Sequence, residues 1–241
     1  MGHGVRFDRA TELRLDVAES NAANAEFDGC VALHWAELIR DNPRLFNGPL
    51  ISPVGVSVRN GCATLRVKRS DYAHYLYARS IAQADGAPTP GTIFVSLVVP
   101  IGPCRFIAGR MAAHTAAPGV VQLPGGGVSD LGDPRLTAVE EAAEELGLEL
   151  HAEQLRMLGV IVRDAPLDVG VVYLAPRQNR DALRAAFENL LASDRNAGRE
   201  SEFQELLEFD VGVLERQHPT ERLVDYLEAV AEALSGDPWH D

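Results

Sequence analysis

The first apolar alternation runs through Leu13, Leu15 and Val17, which predicts one strand within residues 5–20 followed by a polar turn. The period then lengthens. Trp35, Leu38 and Ile39 fall at helical spacing, so residues 31–40 read as a helix that stops near Asn42-Pro43, because the residue before a proline is pushed out of the helical region. Period two returns over residues 51–58 and 62–67, and Arg59-Asn60-Gly61 between them is hairpin-turn chemistry. Asp71 to Ile81 reads as a helix or an irregular aromatic segment. The run GAPTPG, residues 86–91, reads as a linker by composition.

Beyond that run, Thr92 to Pro100 is dense in Phe, Val and Leu and predicts a central strand, paired with Phe106 to Met111 across the Ile101-Gly102-Pro103 turn. A short strand, Val120 to Leu123, feeds a glycine turn, and further strands are expected at residues 156–162, 169–174 and 203–209. A helix at Arg180 to Ala192 leads into a polar loop, Ser193 to Arg199. A last helix, Thr220 to Leu234, carries Leu223, Tyr226, Leu227, Val230 and Leu234 on one stripe. Strands interleaved with helices describe an α/β chain, divided near residue 88 into an N-terminal part, 1–88, and a main domain, 89–241.

The stretch LPGGGVSDLGDPRLTAVEEAAEELGL, residues 123–148, joins the glycine turn to a helix with Pro134 in its first turn. At about 100° per residue, Glu141, Glu144 and Glu145 share an arc of roughly 100°, with Glu140 at its edge. Leu136, Val139, Ala142, Ala143 and Leu146 are expected to form the core side. No Lys or Arg stands three or four positions from these glutamates, and the like-charge pairs cost about 0.2–0.5 kcal/mol each. They also lie toward the helix C-terminus, where the dipole disfavours negative charge. A divalent cation would turn that repulsion into coordination, since Mg²⁺ and Mn²⁺ prefer carboxylate oxygens. The plainer reading is a solvated acidic face.

Composition narrows the function classes. Of 241 residues, 46% are apolar and 24% charged, as in a globular protein, and the formal charge of −13 without clustered Lys or Arg argues against a nucleic-acid surface. A local phosphate site remains open if metal supplies the positive charge. Cys30, Cys62 and Cys104 are odd in number and far apart, so reduced, buried thiols are expected. The start MGHGVRFDRA lacks an apolar signal core and the run Phe94–Ile101 is too short to span a bilayer, which leads us to expect a cytoplasmic protein without a membrane partner.

The stretch resembles the box of the Nudix hydrolases: Gly, five residues, Glu, seven residues, then Arg-Glu-U-x-Glu-Glu-x-Gly-U, where U is apolar. Read from Gly126, the second half is in register as Glu141, Ala142, Ala143, Glu144, Glu145, Leu146, Gly147 and Leu148. Gly132 stands in place of the first Glu and Glu140 in place of the Arg. In the family that Arg helps orient the catalytic carboxylates, so its reversal bears on turnover rather than on fold. The N-terminal part, with Trp35, Pro43 to Gly48, the hairpin, Ser70-Asp71-Tyr72 and Tyr75, is similar to the extension of an atypical branch that hydrolyses UDP-glucose and UDP-galactose to UMP and the sugar 1-phosphate. Leu158 to Arg163 is similar to the strand that follows the box in that branch, Arg199-Glu200-Ser201 stands where the branch has His-Glu-Ser, and its Gly-Thr-Asn is replaced here by Tyr77-Ala78-Arg79.

The resemblance implies an α/β/α Nudix sandwich with a mixed sheet and an N-terminal α+β extension. It implies a Mg²⁺- or Mn²⁺-dependent hydrolase acting on a nucleoside-diphosphate-linked small molecule, with relatives that are often homodimers. Glu141, Glu144 and Glu145 would hold metal. Glu141 and Glu145, with Glu200 as a further ligand or base ahead of Glu202, would be catalytic. Gly125, Gly126 and Gly127 could shape a turn that approaches phosphate, with Arg163, and less so Arg66 and Arg79, as phosphate partners. Asp130 and Asp133 read as turn and helix-start residues, Tyr75 as a base-stacking candidate, and Phe46 as a core residue. An ADP-ribose-type pyrophosphatase and a non-catalytic nucleotide-sensing or interaction module are the alternatives.

Overall fold

The computed structural model describes residues 4–18, 25–43, 45–85, 91–115, 117–164, 166–214 and 220–235, without the side chains of residues 82–85. Residues 86–90 of the expected linker lie outside them.

The N-terminal part begins with β1 (Val5–Arg9) and β2 (Glu12–Val17), followed by α1 (Ala25–Asp41). The hairpin β3 (Pro49–Arg59) and β4 (Cys62–Asp71) turns through Asn60 and Gly61, both at positive φ, and α2 (Tyr72–Asp85) follows. β2, β4 and β3 form a three-stranded sheet in that order. The sequence pattern over residues 5–20 predicted one strand. The chain instead breaks at Ala10-Thr11, because β1 pairs antiparallel with β8 (Arg156–Asp164) while β2 pairs parallel with β4.

The main sheet is mixed and eight-stranded. β1, β8, β9 (Leu167–Leu174), β5 (Ile93–Gly102), β6 (Arg105–Met111), β7 (Val120–Gln122) and β11 (Arg222–Leu223) lie in that order, and β10 (Phe203–Asp210) pairs with β6. Alternation along central β5 divides the layers. Val95, Leu97 and Val99 pack toward Ala138, Ala142 and Leu146 of α3 (Pro134–Leu146) and Leu183 and Phe187 of α4 (Arg180–Ala197). Val98, with Phe94 beside it, faces Tyr226 and the apolar stripe of α5 (Leu227–Ser235). Helices therefore cover both faces of the sheet, an α/β/α arrangement. Ala63, Leu65 and Val67 of the small sheet are fully buried in the same cluster as α3 and α4.

Four further expectations are corrected. The last helix starts at Leu227 rather than Thr220, because Arg222 and Leu223 are drawn into parallel pairing with Val120 and Val121. The expected loop 193–199 is helical as far as Ala197, where left-handed Gly198 closes α4 and its amide caps Asp194 and Arg195. Phe46 is 80% exposed rather than in the core, and of the thiols expected to be buried Cys104 is exposed and Cys30 and Cys62 are half-buried. Among the described residues no helix is long and apolar enough to cross a membrane.

Candidate active site

The glycine turn acts as a short strand on β5. Val95 and Leu97 donate to the carbonyls of Gly126 and Pro124, and Val128 donates to Ile93, so residues 124–128 occupy the edge of β5 that β6 leaves free. Gly125 takes φ 151°, and a side chain there would collide with the Val95 carbonyl. That close approach explains one of the three glycines.

α3 is fixed at both ends. Asp133 caps its N-terminus by accepting from the Arg135 amide at 3.0 Å, and Pro134 occupies the first turn. Gly147, at φ 68°, terminates it. The buried side differs from the one expected of the apolar residues. Ala138, Ala142, Glu145 and Leu146 are buried, whereas Leu136 and Ala143 are exposed. The reason is angular: measured from Ala138, Glu145 lies about 20° away, Glu141 about 60° and Glu144 about 120°. Small alanines on that side let α3 approach the sheet, and the approach carries Glu145 inward with them.

Glu145 is 2% exposed, and one of its oxygens accepts from the Gly125 amide at 2.8 Å. The other, Oε1, is buried without a partner. Glu141 packs its carboxylate on Gly126, where an added Cβ would overlap Oε1. Burial, aided by the charges of Glu202, Glu144 and Glu140, pushes the Glu141 carboxyl up to about 7. Burial likewise pushes Glu145 up to about 9, against the lowering effect of the Gly125 amide and with Glu141, Glu202 and Glu144 adding to the rise. Glu144 is exposed on the outer flank. Among the described residues no basic side chain pairs with Glu140, Glu141, Glu144, Glu145 or Glu202.

Glu202 lies at the entry to β10 and its charge acts on both Glu141 and Glu145; Glu200 and Glu202 are both exposed. The segment carrying both is anchored to α4, where buried Asp194 accepts from Ser201 Oγ at 2.7 Å and from Arg199 Nε at 2.9 Å. The sequence reading placed Glu200 ahead of Glu202. Both precede β10, and what distinguishes them is proximity: the Glu202 carbonyl accepts from the Ala112 amide beside β6, and its charge reaches Glu141 and Glu145.

On the other side of the glycine turn lies a cleft of about 420 Å³, with Gly125 to Gly127 along one wall and Arg163, Phe94 and Tyr226 along another. Arg163 lies over both rings, 5.5 Å from the Phe94 centroid and 5.4 Å from that of Tyr226, and forks onto Asp225. Pro49 and Leu50 of the small sheet also reach this cleft. The Gly125 amide is committed to Glu145, whereas those of Gly126 and Gly127 have no acceptor among the described residues. Arg79 and Tyr75 are bonded to each other on α2 at 2.6 Å, and Arg66 is exposed on β4. Asp130 accepts from the Gly132 amide as a turn residue.

The donor set suits a hard divalent cation in chemistry: carboxylate oxygens only, one of them buried and unpartnered. Among the described residues no three His, Cys, Asp or Glu side chains form a ready cage. Mg²⁺ does not require one, since it keeps several waters and commonly takes one or two carboxylates together with phosphate oxygens.

No family model and no curated protein matches the chain. Similar solved structures include a MutT protein from Methanosarcina mazei Go1, at 15% identity and TM-score 0.42, with 60% of this chain and 93% of that one covered. A NUDIX-family hydrolase from Clostridium perfringens matches at 14% identity and TM-score 0.37, over 60% of this chain and 96% of the other. A bifunctional NMN adenylyltransferase/ADP ribose pyrophosphatase from Francisella tularensis matches at 15% identity and TM-score 0.43, over 69% of this chain and 49% of its own.

Proposed function

We propose that the protein is a Nudix-type hydrolase that uses Mg²⁺ or Mn²⁺ to cleave the diphosphate of a nucleoside-diphosphate sugar, with UDP-glucose as the type substrate. The observation that carries this reading is the Glu145 carboxylate, buried against the glycine turn with one oxygen on the Gly125 amide and the other without a partner. A purely structural position at that depth favours an apolar or fully hydrogen-bonded side chain.

Glu145 and Glu141 would hold the metal, with Glu202 facing them and Glu144 at the rim. Bound there, a divalent cation supplies charge neutralisation of the diphosphate oxygens and a more acidic water. The remaining work belongs to the chain. The Gly125 amide fixes the Glu145 carboxylate, Gly126 gives Glu141 room, and the free amides of Gly126 and Gly127 are donors for a phosphate oxygen. Arg163 presents a half-buried positive charge in the cleft wall, and Glu202 or Glu200 serves as the base that takes the proton from water. The preference for a UDP-sugar over ADP-ribose rests on the N-terminal motifs and on the reach of Pro49 and Leu50 into the cleft.

The test is a panel of UDP-glucose, UDP-galactose, ADP-glucose and ADP-ribose with each metal, read as released UMP or AMP. Metal-dependent release of UMP, lost on Glu145→Gln, is the expected result. Calorimetry that detects no Mg²⁺ or Mn²⁺ binding, together with inactivity on the whole panel, would favour a non-catalytic module.

A further inference from the structure

A second and larger cavity, about 800 Å³, opens at the opposite end of α3, between the small sheet and the main body. Leu13 and Leu15 of β2 line it together with Leu131, Leu155 and Met157. Tyr173 of β9 lines it as well. That residue is only 3% exposed, yet it lines the cavity and its hydroxyl has no hydrogen-bond partner among the described residues. The ring is buried while the hydroxyl stays open to the cavity, a donor available to whatever fills it. The neighbouring carboxylate, Asp133, is already used: it caps α3 and takes three hydrogen bonds from the Arg135 guanidinium, at 2.5–3.0 Å. Arg135 and Arg156 add positive charge to the same cavity, against Glu12 at its exposed β2 side.

From these features we infer that the cavity is a second ligand site, separate from the carboxylate cluster, for a small amphipathic acid. Its apolar body lies against the five Leu and Met side chains, and its acid oxygen accepts from Tyr173 within reach of Arg135. The site bridges β2 and the first turn of the helix that carries Glu145. Ten residues, about 15 Å of helix, separate Arg135 from Glu145, so an occupant here would not touch the diphosphate site directly.

The experiment uses the full chain with labelled Met and Leu methyl groups, titrated with 1-naphthoate and followed by NMR. Saturable shifts are expected at Met157, Leu155, Leu131, Leu13 and Leu15, with the exposed Leu33 and Leu136 unmoved. Tyr173→Phe keeps the ring and removes only the hydroxyl. It should weaken naphthoate about fivefold, the effect of one hydrogen bond. Leu13→Trp, at a half-buried position, should fill the cavity and abolish binding. The neutral analogue 1-naphthalenemethanol should bind more weakly than the acid. Absence of saturation up to the solubility limit, shifts centred on other methyls, or an unchanged affinity in Tyr173→Phe would each overturn the assignment. Because the readout is binding at these methyls, it is independent of whether the chain hydrolyses UDP-glucose.

Discussion

At Glu145 a carboxylate is buried with the Gly125 amide as its partner and three other acids nearby, an arrangement that costs the metal-free protein stability. The sign follows from linkage. A carboxyl whose pKa is raised in the folded chain holds its proton more tightly there, so stability is highest at low pH and declines as pH rises from about 4.5 toward about 9. Glu145→Gln removes this part of the decline and leaves the smaller one from Glu141, whose carboxyl is raised to about 7. In EDTA it should melt close to wild type near pH 5 and several degrees higher near pH 8; equal melting temperatures at both would refute the burial of a charge-bearing group. Gly126→Ala tests the neighbouring contact. Its methyl group would overlap Glu141 Oε1, so Mg²⁺ affinity by calorimetry should fall about tenfold while the circular dichroism spectrum is kept.

Among the elements, α3 depends on its closing glycine twice over. Gly147 needs φ 68°, and a Cβ there would sit 2.9 Å from the Ala186 carbonyl of α4. Gly198 at the end of α4 has the same φ with nothing within 4 Å. Gly198→Ala should therefore cost about 1 kcal/mol for the left-handed conformation alone, and Gly147→Ala about 2 kcal/mol or more, as measured by urea denaturation. Equal losses would mean that the contact between α3 and α4 relaxes freely. The contact between α1 and α2 carries a pH dependence of its own. His74 Nδ1 is 2.7 Å from Asp71 and its Nε2 3.4 Å from Asp28, with the Phe27 ring of α1 beside it. Burial lowers the His74 pKa, but the bonds and charges of Asp71 and Asp28 outweigh it and the net shift is upward. For Asp71 burial raises the pKa, but the bonds from the His74 amide and ring bring it down overall. The His74 contribution is complete below about pH 6.5 and lost as pH rises through its folded value, and that of Asp71 is present above about 3.8 and lost as pH falls. Amide exchange in α1 should accordingly be slower near pH 5.5 than near pH 8 after correction for intrinsic rates, and His74→Gln should remove the difference.

For the whole molecule, the N-terminal part and the main domain share structure. β1 lies in the main sheet against β8, and Ala63, Leu65 and Val67 of the small sheet are fully buried in the cluster that includes α3. A chain starting at residue 89 should expose that surface and melt non-cooperatively or precipitate. A cooperative, soluble truncation would show that the main domain stands alone. The same sharing brings Pro49 and Leu50 to the cleft beside Arg163, so the N-terminal part bears on what the cleft admits as well as on stability.

Local chemistry was legible in the residues. Asn60-Gly61 set the hairpin, Asp133-Pro134 and Gly147 bounded α3, and the dense apolar run from Thr92 to Pro100 set the central strand, because each depends on backbone preferences or on composition within one element. The acidic stretch was legible as a cluster, though not in its orientation. Which side of α3 faced inward was decided by contact with β5 and the glycine turn, where small alanines fit and Leu136 does not, and that contact buried Glu145. Pairing across distant segments was likewise beyond reading from local pattern. It split the first strand between two sheets and drew Arg222 and Leu223 out of the last helix, since register is set by partners that the local sequence does not contain, and the bond from the Ala112 amide to the Glu202 carbonyl placed Glu202 near the carboxylates.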